Sequence, residues 1–187
     1  MDKQLSSYVK LYKSVIPNDM CNDTVNQLQN SNWSTHKFYK STDDTYYTND
    51  NEPSFTYENL TTSKPLMDLI WEQISSYILT DINVPWWNSW QGFNLIKFNK
   101  YDTTNTMAEH CDHIHDMFDG DRKGIPILTV IGLLNSDFEG GNFIILEDEK
   151  INISKGDILI FPSLFLFPHK VTPLTRGSRY SFASWVW

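Results

Sequence analysis

The chain has 187 residues, a formal net charge of −8 at pH 7 and 40% hydrophobic residues. That length favours one domain, and a chain of this size buries enough apolar surface to fold without a metal or disulfide staple. Fifteen Lys and Arg residues against 23 Asp and Glu, with no basic cluster, argue against nucleic-acid binding as the main role. The apolar runs are too short for a membrane span, so no membrane association is expected.

The N-terminus has no apolar signal core, so a soluble, cytoplasmic protein is predicted. In a chain without an export signal, Cys21 and Cys111 are expected to be free thiols. The abundance of Lys and Asn indicates an AT-rich genome, for which a viral protein in a host cytoplasm is one candidate origin.

The first 90 residues or so predict helices and loops. A short helix is expected from Asn18 to Asn30, with Asn18 or Asp19 as its cap. A second helix is expected from Pro65 to Thr80, capped by Ser63, because its apolar residues recur at helical spacing. The polar stretch between them, residues 34–62, is interpreted as a loop with short edge strands, and its role is left open.

After Pro85 the pattern changes to short strands separated by turn signals. Residues 127–134 are continuously apolar, which is typical of a strand covered on both faces. This spacing predicts a mainly β chain, a two-sheet barrel-like sandwich with the helices packed outside it. The predicted strands are Gly92–Phe98, Ile127–Leu134, Asn142–Leu146, Lys150–Ile153, Asp157–Phe161, Phe165–Val171 and Arg179–Trp187.

Three of the five histidines fall within six residues, and this cluster is the strongest chemical signal. His110 and Asp112 are two positions apart, so on an extended segment both side chains project from one face. His169, 57 positions after Asp112, could complete two imidazoles and a carboxylate around Fe(II), leaving open positions for ligands. Because a bare His-x-Asp arises often by chance, surface or turn histidines are the alternative. His113 and His115 are expected to lie outside the set of metal ligands. A zinc site with four protein ligands is therefore not expected.

Arg179 opens the last predicted strand, ten positions after His169. On that strand Arg179, Ser181, Ala183 and Trp185 share one face, so small side chains leave a cavity with a cation at its end. A guanidinium at the base of an apolar pocket binds a carboxylate with two hydrogen bonds. A salt bridge to one of the chain's own acids is the alternative.

From about Phe93 to Trp187 the chain resembles a 2-oxoglutarate- and Fe(II)-dependent dioxygenase of the prolyl 4-hydroxylase-like group. The segments that carry the resemblance are KYDTTNTMAEHCDH, LTVIGLLN, FEGGNFIIL, GDILIFPS and HKVTPLTRGSRYSFASWVW. The resemblance implies a double-stranded β-helix, also called a jelly-roll or cupin-like core, with flanking helices. One domain over residues 1–187 is expected, with a helical and loop part over about 1–90 and the core over about 91–187.

The resemblance also implies roles for individual residues. His110, Asp112 and His169 would ligate iron, and Arg179 would pair with the distal carboxylate of 2-oxoglutarate. Tyr101 and Thr129 would contact the co-substrate, with an ordinary core aromatic and plain strand packing as the respective alternatives. The implied cofactors are Fe(II), 2-oxoglutarate and O₂, with ascorbate as a further candidate.

The implied reaction is hydroxylation of a C–H bond with release of succinate and CO₂. Prolyl residues of a peptide or protein are the first substrate to test. A free amino acid, a nucleobase or another small metabolite is one alternative, and a non-catalytic metal-binding jelly-roll module is another. Residues 34–62 and the segment His113–Lys123 are predicted to contact substrate, the latter as a lid. The sequence makes no prediction of oligomeric state.

Overall fold

The computed structural model describes residues 4–187 apart from positions 41, 42, 44, 49, 50, 86, 88, 89, 91, 113–117 and 120–122. Within that part of the chain the α-helices are α1 (Asn18–Leu28) and α2 (Ser63–Ser76), and α2 continues into a π-helical turn, Tyr77–Ile82. A single 3-10 turn, Leu5–Tyr8, comes first. No helix in the described residues has both the length and the apolar character that a membrane crossing needs.

Both predicted helices are confirmed, but their N-terminal caps were wrong. Pro17 precedes α1, and no side-chain hydrogen bond caps that helix. Thr62 precedes α2, and Ser63 already belongs to it; the Ser63 hydroxyl accepts a hydrogen bond from the Leu60 amide at 2.9 Å. The helix termini therefore depend on backbone geometry more than on the predicted side-chain caps.

Most of the described chain after α2 is β-structure, with short additional strands before it. The strands in chain order are β1 (Lys10–Tyr12), β2 (Ser34–Thr35), β3 (Phe38–Lys40), β4 (Thr45–Tyr47), β5 (Ser54–Thr56), β6 (Lys97–Tyr101), β7 (Met107–His110), β8 (Phe118–Asp119), β9 (Lys123–Gly124), β10 (Leu128–Leu133), β11 (Glu139–Gly140), β12 (Phe143–Ile145), β13 (Glu149–Ile151), β14 (Ile158–Pro162), β15 (His169–Val171), β16 (Leu174–Arg176) and β17 (Arg179–Val186).

Two antiparallel sheets form the core of the fold. The major sheet has the order β1-β14-β10-β17-β6-β5-β2, and the minor sheet has the order β13-β12-β15-β7. One apolar cluster joins the two sheets, because it contains Phe161 of β14 together with Phe143 of β12 and Val171 of β15. This arrangement is the predicted double-stranded β-helix, and the prediction of fold class is confirmed.

The second apolar cluster lies on the outer face of the major sheet. It joins Val130 and Phe182 of that sheet to Leu66 and Ile70 of α2. The helices therefore pack outside the sandwich, as predicted. Gly132 stands opposite Phe182 on the neighbouring strand, and a Cβ at Gly132 would lie 2.1 Å from the Phe182 ring. Glycine at this position allows the aromatic ring to lie flat on the sheet.

Several strand predictions were wrong in their bounds. The strand expected over 92–98 is β6, which begins five residues later, and the strand expected over 165–171 is only β15. In the second case the exposed side chains of Leu164, Phe165 and Leu166 belong to a connecting loop, although their hydrophobicity favoured a strand. β7, which ends at His110, had no period-2 apolar pattern and was not predicted.

The short edge strands expected within residues 34–62 are present. β5 pairs with β6, and β2 pairs with β5, so these two strands extend the major sheet. They continue the inner face of the sandwich beyond β6. The segment predicted as a lid, His113–Lys123, lies largely outside the described residues, as do His113 and His115. The two cysteines are free thiols, as predicted.

Candidate metal and co-substrate site

The two sheets bring His110, Asp112 and His169 together at one end of the sandwich. β7 pairs with β15 so that His110 stands opposite His169, and Asp112 follows β7 by two residues. One ligand atom from each residue lies within 4.8 Å of the others. Two imidazoles and one carboxylate on one side of a point match the facial arrangement that leaves positions open on an iron ion.

Backbone carbonyl groups orient both imidazole rings. The Nδ1 atom of His110 lies 2.8 Å from the carbonyl oxygen of Ala108, and that of His169 lies 3.2 Å from the carbonyl oxygen of Phe167. Since a carbonyl only accepts, each Nδ1 carries the proton and each Nε2 keeps its lone pair. The Nε2 atoms lie 3.6 Å (His110) and 3.7 Å (His169) from the Asp112 carboxylate.

The Asp112 carboxylate is buried and held through one of its oxygens. Oδ2 accepts hydrogen bonds from the Thr129 hydroxyl at 2.8 Å and from the Trp185 indole nitrogen at 3.0 Å. Because Thr129 gives its proton to Asp112, the Ser163 hydroxyl must donate to Thr129 across their 2.8 Å contact. The carboxylate is thus fixed in orientation, and Oδ1 has no protein donor among these contacts.

The charge states of the cluster favour a cation. Burial acts to raise the pKa of Asp112, but the adjacent His169 and His110 and the two hydrogen bonds outweigh it, so the pKa is lowered. Burial lowers the pKa of His169 to about 4, which keeps that imidazole neutral at pH 7. A carboxylate and neutral imidazoles are the protonation states that a metal ion requires of its ligands.

Arg179 is the second chemical element of the site. It is the first residue of β17 and only 1% exposed. One terminal nitrogen, Nη1, donates to the Ser181 hydroxyl at 2.8 Å, and the guanidinium lies 5.1 Å above the centre of the Tyr101 ring. The other two nitrogens, Nε and Nη2, are buried and have no hydrogen-bond partner in the described part of the chain.

Unpartnered donors on a buried guanidinium are energetically costly unless an anion completes them. Nε and Nη2 lie on one edge of the guanidinium, which is the edge that binds a carboxylate with two parallel hydrogen bonds. The alternative of a salt bridge to the chain's own acids finds no support among the described residues, where Arg179 has no carboxylate partner. The site therefore fits both groups that the sequence implied, a divalent metal and a dicarboxylate.

The structure brings the predicted site residues together, with one difference in contacts. Tyr101 lies beside Arg179, and its contact with a co-substrate stays a prediction. Thr129 directs its hydroxyl to Asp112 and Ser163, so its observed partners belong to the metal side of the site.

Sequence reasoning missed the contribution of Trp185 and Ser163 to the Asp112 contacts. The sequence pattern places Trp185 on the same face as Arg179, and the indole N–H of a buried tryptophan needs a hydrogen-bond acceptor. These two facts together could have indicated a contact between Trp185 and a polar residue of the site.

Residues of the added strands β2 and β5 form a further wall beside the site. Glu52, just before β5, is 5% exposed, and its Oε2 has no hydrogen-bond partner among the described residues. The ring of Phe55 contacts the ammonium of Lys97 at 4.6 Å. Burial, followed by the positive charges nearby, lowers the pKa of His36 to about 4. The sequence predicted substrate contact for residues 34–62 as a segment, but it did not single out Glu52, Phe55 or His36.

This combination defines a jelly-roll protein with a two-histidine, one-carboxylate cluster and a buried arginine that has two unpartnered nitrogens. Residues 96–187 match the model of the 2OG-Fe(II) oxygenase superfamily. This half of the chain is therefore similar to the superfamily, and the relatives it matches include PKHD-type hydroxylases, in agreement with the resemblance that the sequence indicated.

Curated relatives match about half of the chain. A PKHD-type hydroxylase of Idiomarina loihiensis is 33% identical over 94 residues, which are 49% of this chain and 41% of the relative. A PKHD-type hydroxylase of Alteromonas mediterranea is 31% identical over 96 residues, which are 48% of this chain and 41% of the relative. The match thus covers about two fifths of the length of these relatives.

Solved structures share the fold over nearly the whole chain. A prolyl hydroxylase of Trichoplax adhaerens, bound to a peptide fragment of the hypoxia inducible factor oxygen degradation domain, superposes with a TM-score of 0.73 at 16% identity, covering 97% of this chain and 84% of that one. The viral collagen prolyl hydroxylase of Paramecium Bursaria Chlorella virus-1, in complex with 2OG, superposes with a TM-score of 0.66 at 14% identity. The superposition covers 96% of this chain and 94% of that one. The N-terminal elements therefore belong to the shared architecture.

Proposed function

We propose that this protein is an Fe(II)- and 2-oxoglutarate-dependent dioxygenase that hydroxylates a C–H bond, with prolyl residues of a peptide or protein as its substrate class. The observation that carries the proposal is that two binding features share one inner face of the sandwich, because Trp185, on the same face of β17 as Arg179, donates a hydrogen bond to Asp112. His110, Asp112 and His169 offer ligand atoms within 4.8 Å of one another, and Arg179 offers unpartnered donors on the same inner face.

His110, Asp112 and His169 hold Fe(II) in this proposal. The imidazole tautomers are already set by the carbonyls of Ala108 and Phe167, so neither ring has to give up a proton to bind. Thr129 and Trp185 keep the carboxylate in one orientation, which lowers the entropy lost on ligation. When bound, Fe(II) with 2-oxoglutarate and O₂ supplies the oxidative decarboxylation to succinate and CO₂ that is coupled to substrate hydroxylation.

Arg179 binds the distal carboxylate of 2-oxoglutarate through Nε and Nη2. Ser181 occupies Nη1 and so fixes the plane of the guanidinium, while the Tyr101 ring supports its face. These contacts leave Arg179 one free edge, and that edge determines the direction from which the dicarboxylate enters. Because Arg179 is only 1% exposed, the interaction takes place away from bulk water, which strengthens it.

The prolyl substrate class is supported by the kind of proteins that the chain resembles. The curated relatives are described as PKHD-type hydroxylases, and the solved neighbours are prolyl hydroxylases, one of them bound to a peptide. β5 lies beside β6 in the major sheet, and Phe55 of β5 lies near the Lys97 ammonium, as does Trp185, whose indole donates to Asp112. These two aromatic rings offer an apolar surface suited to a pyrrolidine ring.

The first test is succinate formation by the protein loaded anaerobically with Fe(II) and 2-oxoglutarate and then exposed to O₂. We expect slow turnover without substrate, abolished in His110→Ala and stimulated by proline-containing peptides. Arg179→Ala should need about a hundredfold more 2-oxoglutarate, because two charge-assisted hydrogen bonds contribute about 3 kcal/mol. Arg176→Ala is the matched control, since Arg176 pairs with Glu139 on the surface.

The outcomes separate the candidate functions. If amino acids or other small metabolites stimulate turnover and peptides do not, the substrate is a small molecule rather than a peptide. Metal and 2-oxoglutarate binding without turnover under any substrate would favour a non-catalytic module. Absence of binding to either would contradict the proposal as a whole.

A further inference from the structure

Lys97 is a charged residue on the inner face of the major sheet that neither the metal nor the co-substrate accounts for. It is the first residue of β6, and the side chains of β6 alternate between the two faces. Phe98 packs into the helix-side cluster, while Tyr101, four residues after Lys97, lies beside Arg179. Lys97 therefore projects from the same face as Tyr101, toward the interior of the sandwich.

The ammonium of Lys97 lies between two aromatic rings. Its Nζ is 4.6 Å from the centre of the Phe55 ring and 6.0 Å from that of the Trp185 ring. Trp185 is the residue whose indole donates to Asp112, so the ammonium lies next to the metal side of the site. Aromatic faces attract a cation, but they do not replace the three hydrogen bonds that an ammonium makes in water.

Lys97 has no carboxylate partner among the described residues, in contrast to its neighbour on the same strand. Lys100, on the opposite face, pairs with Asp102 at 2.9 Å. Lys170 pairs with Glu109 at 3.0 Å in the same way. Asp112 is the acid that acts most on Lys97, yet its Oδ2 is already occupied by Thr129 and Trp185. Burial lowers the pKa of Lys97 to about 8, which measures the cost of the incompletely solvated charge.

In the proposed function both ends of 2-oxoglutarate already have partners. Its distal carboxylate would pair with Arg179, and its other end would lie at the metal. Lys97 stands opposite Ala183, four residues along β17 from Arg179, so its ammonium is not the partner of the distal carboxylate. A further anion is needed to complete the hydrogen bonds of Lys97.

We propose that Lys97 binds a carboxylate of the substrate, so that the oxidised carbon belongs to a residue that carries, or directly adjoins, an acidic group. This inference rests on the proposed function. Two sources supply such a carboxylate, a chain terminus or free amino acid on one hand and an acidic side chain beside the target residue on the other. Both complete the hydrogen bonds of the ammonium while Phe55 and Trp185 enclose the apolar part of the substrate.

The experiment compares paired probes that differ by one negative charge. The first pair is a short N-acetylated peptide ending in proline with a free carboxylate, and its C-terminal amide. The second pair is a capped peptide with Asp after proline, and the same peptide with Asn. Dissociation constants are measured by calorimetry on the anaerobic protein with Fe(II) and 2-oxoglutarate, and probe-stimulated succinate formation is measured in air.

We expect the carboxylate member of at least one pair to bind about tenfold more tightly than its neutral counterpart. Lys97→Met should abolish this preference, and Lys97→Arg should keep most of it. Lys100→Met, a change of the same size on the other face of β6, should leave it unchanged. The pair that shows the preference identifies whether the carboxylate is terminal or on a side chain.

Equal binding of both members in each pair, or no binding of any probe, would overturn the assignment of Lys97. So would a preference that persists in Lys97→Met. In these cases the slow succinate formation that depends on His110 would remain, and the proposed function would stand. If the unmodified protein formed no succinate at all, that result would instead contradict the proposed function.

Discussion

Strand β17 presents a different chemistry on each of its faces. The residues of one face stabilise the fold, and those of the other belong to the candidate functional site. On the outer face Tyr180, Phe182 and Val186 belong to the apolar cluster under the helices. On the inner face Arg179 and Ser181 carry polar atoms into the interior of the sandwich. Every residue of this strand is buried, so burial alone does not tell the two faces apart.

The difference lies in how completely each face is satisfied by the protein itself. The outer face is close-packed, as the fit of the Phe182 ring over Gly132 illustrates. The inner face leaves buried donors of Arg179 without partners among the described residues. A face whose side chains are fully packed and hydrogen-bonded contributes to the stability of the fold. A face with unpartnered buried donors is instead able to bind a ligand that supplies the missing acceptors. Substitutions on the two faces should therefore affect different measurements.

The largest effect on folding is expected from Phe182→Ala on the outer face. Phe182 is fully buried, so truncation loses its transfer free energy and leaves a cavity, and we expect the free energy of unfolding to fall by about 4 kcal/mol. Urea denaturation measures this loss. Leu95→Ala is the control, because Leu95 is 64% exposed and its truncation should change stability by less than about 0.5 kcal/mol.

Phe182→Ala should leave metal and 2-oxoglutarate affinity in the folded protein within about twofold, since Phe182 contributes no atom to the inner face. A loss of stability under about 1 kcal/mol would show that the helix-side cluster is loosely packed. A large loss of ligand affinity in the folded fraction would break the separation of the two faces.

The alternation on β17 could be predicted from the sequence, and so could the ligand cluster. A period of two assigns Arg179 and Trp185 to one face without any tertiary information, and His110 with Asp112 follows the same rule. The partner from another strand, His169, was only a candidate from the sequence, because the pairing between β7 and β15 depends on long-range contacts.

The details that the sequence did not predict share a physical cause. Short edge strands were expected within residues 34–62, but β2 and β5 have only two and three residues, too few to show an alternation that fixes their positions, and they pair because β6 offers an edge. Hydrogen bonds to Asp112 and the lack of a partner at Lys97 depend on side chains distant in sequence. Such contacts carry no local pattern that a sequence could display.

A smaller effect, on ligand affinity, is expected from Thr129→Val on the inner face. The change keeps the shape of the side chain but removes the hydroxyl that donates to Asp112. Partners that orient a metal ligand are typically worth a factor of 10 to 100 in metal affinity, and we expect a loss of about tenfold because the Trp185 hydrogen bond remains. Anaerobic Fe(II) titration, with Mn(II) as an air-stable substitute, measures this change.

Thr129→Ser retains the hydroxyl and is the matched control, so its metal affinity should stay within about threefold of the unmodified protein. Adding Trp185→Phe to Thr129→Val should lower the metal affinity further, because both observed hydrogen-bond donors to Oδ2 of Asp112 are then removed. An unchanged metal dissociation constant in the double variant would mean that the orientation of Asp112 is set by its backbone alone.

The smallest effect has the opposite sign, and it comes from Arg179→Met. Without ligand, Arg179 is a buried cation with two unpartnered nitrogens, so an apolar side chain of similar length should raise the free energy of unfolding by about 1 kcal/mol. The loss of the Ser181 hydrogen bond and of the Tyr101 contact keeps the gain this small. Arg176→Met, on the exposed surface, should change stability by less than about 0.5 kcal/mol.

Adding 2-oxoglutarate and Mn(II) should reverse the order of stability. A ligand at a hundred times its dissociation constant stabilises the folded state by about 2.7 kcal/mol, and this gain belongs to the protein that retains Arg179. Thermal unfolding with and without 2-oxoglutarate, at fixed Mn(II), measures the reversal. If Arg179→Met were instead less stable by 2 kcal/mol or more without ligand, the guanidinium would already be satisfied by the protein. The inner face would then follow the same rule as the outer one.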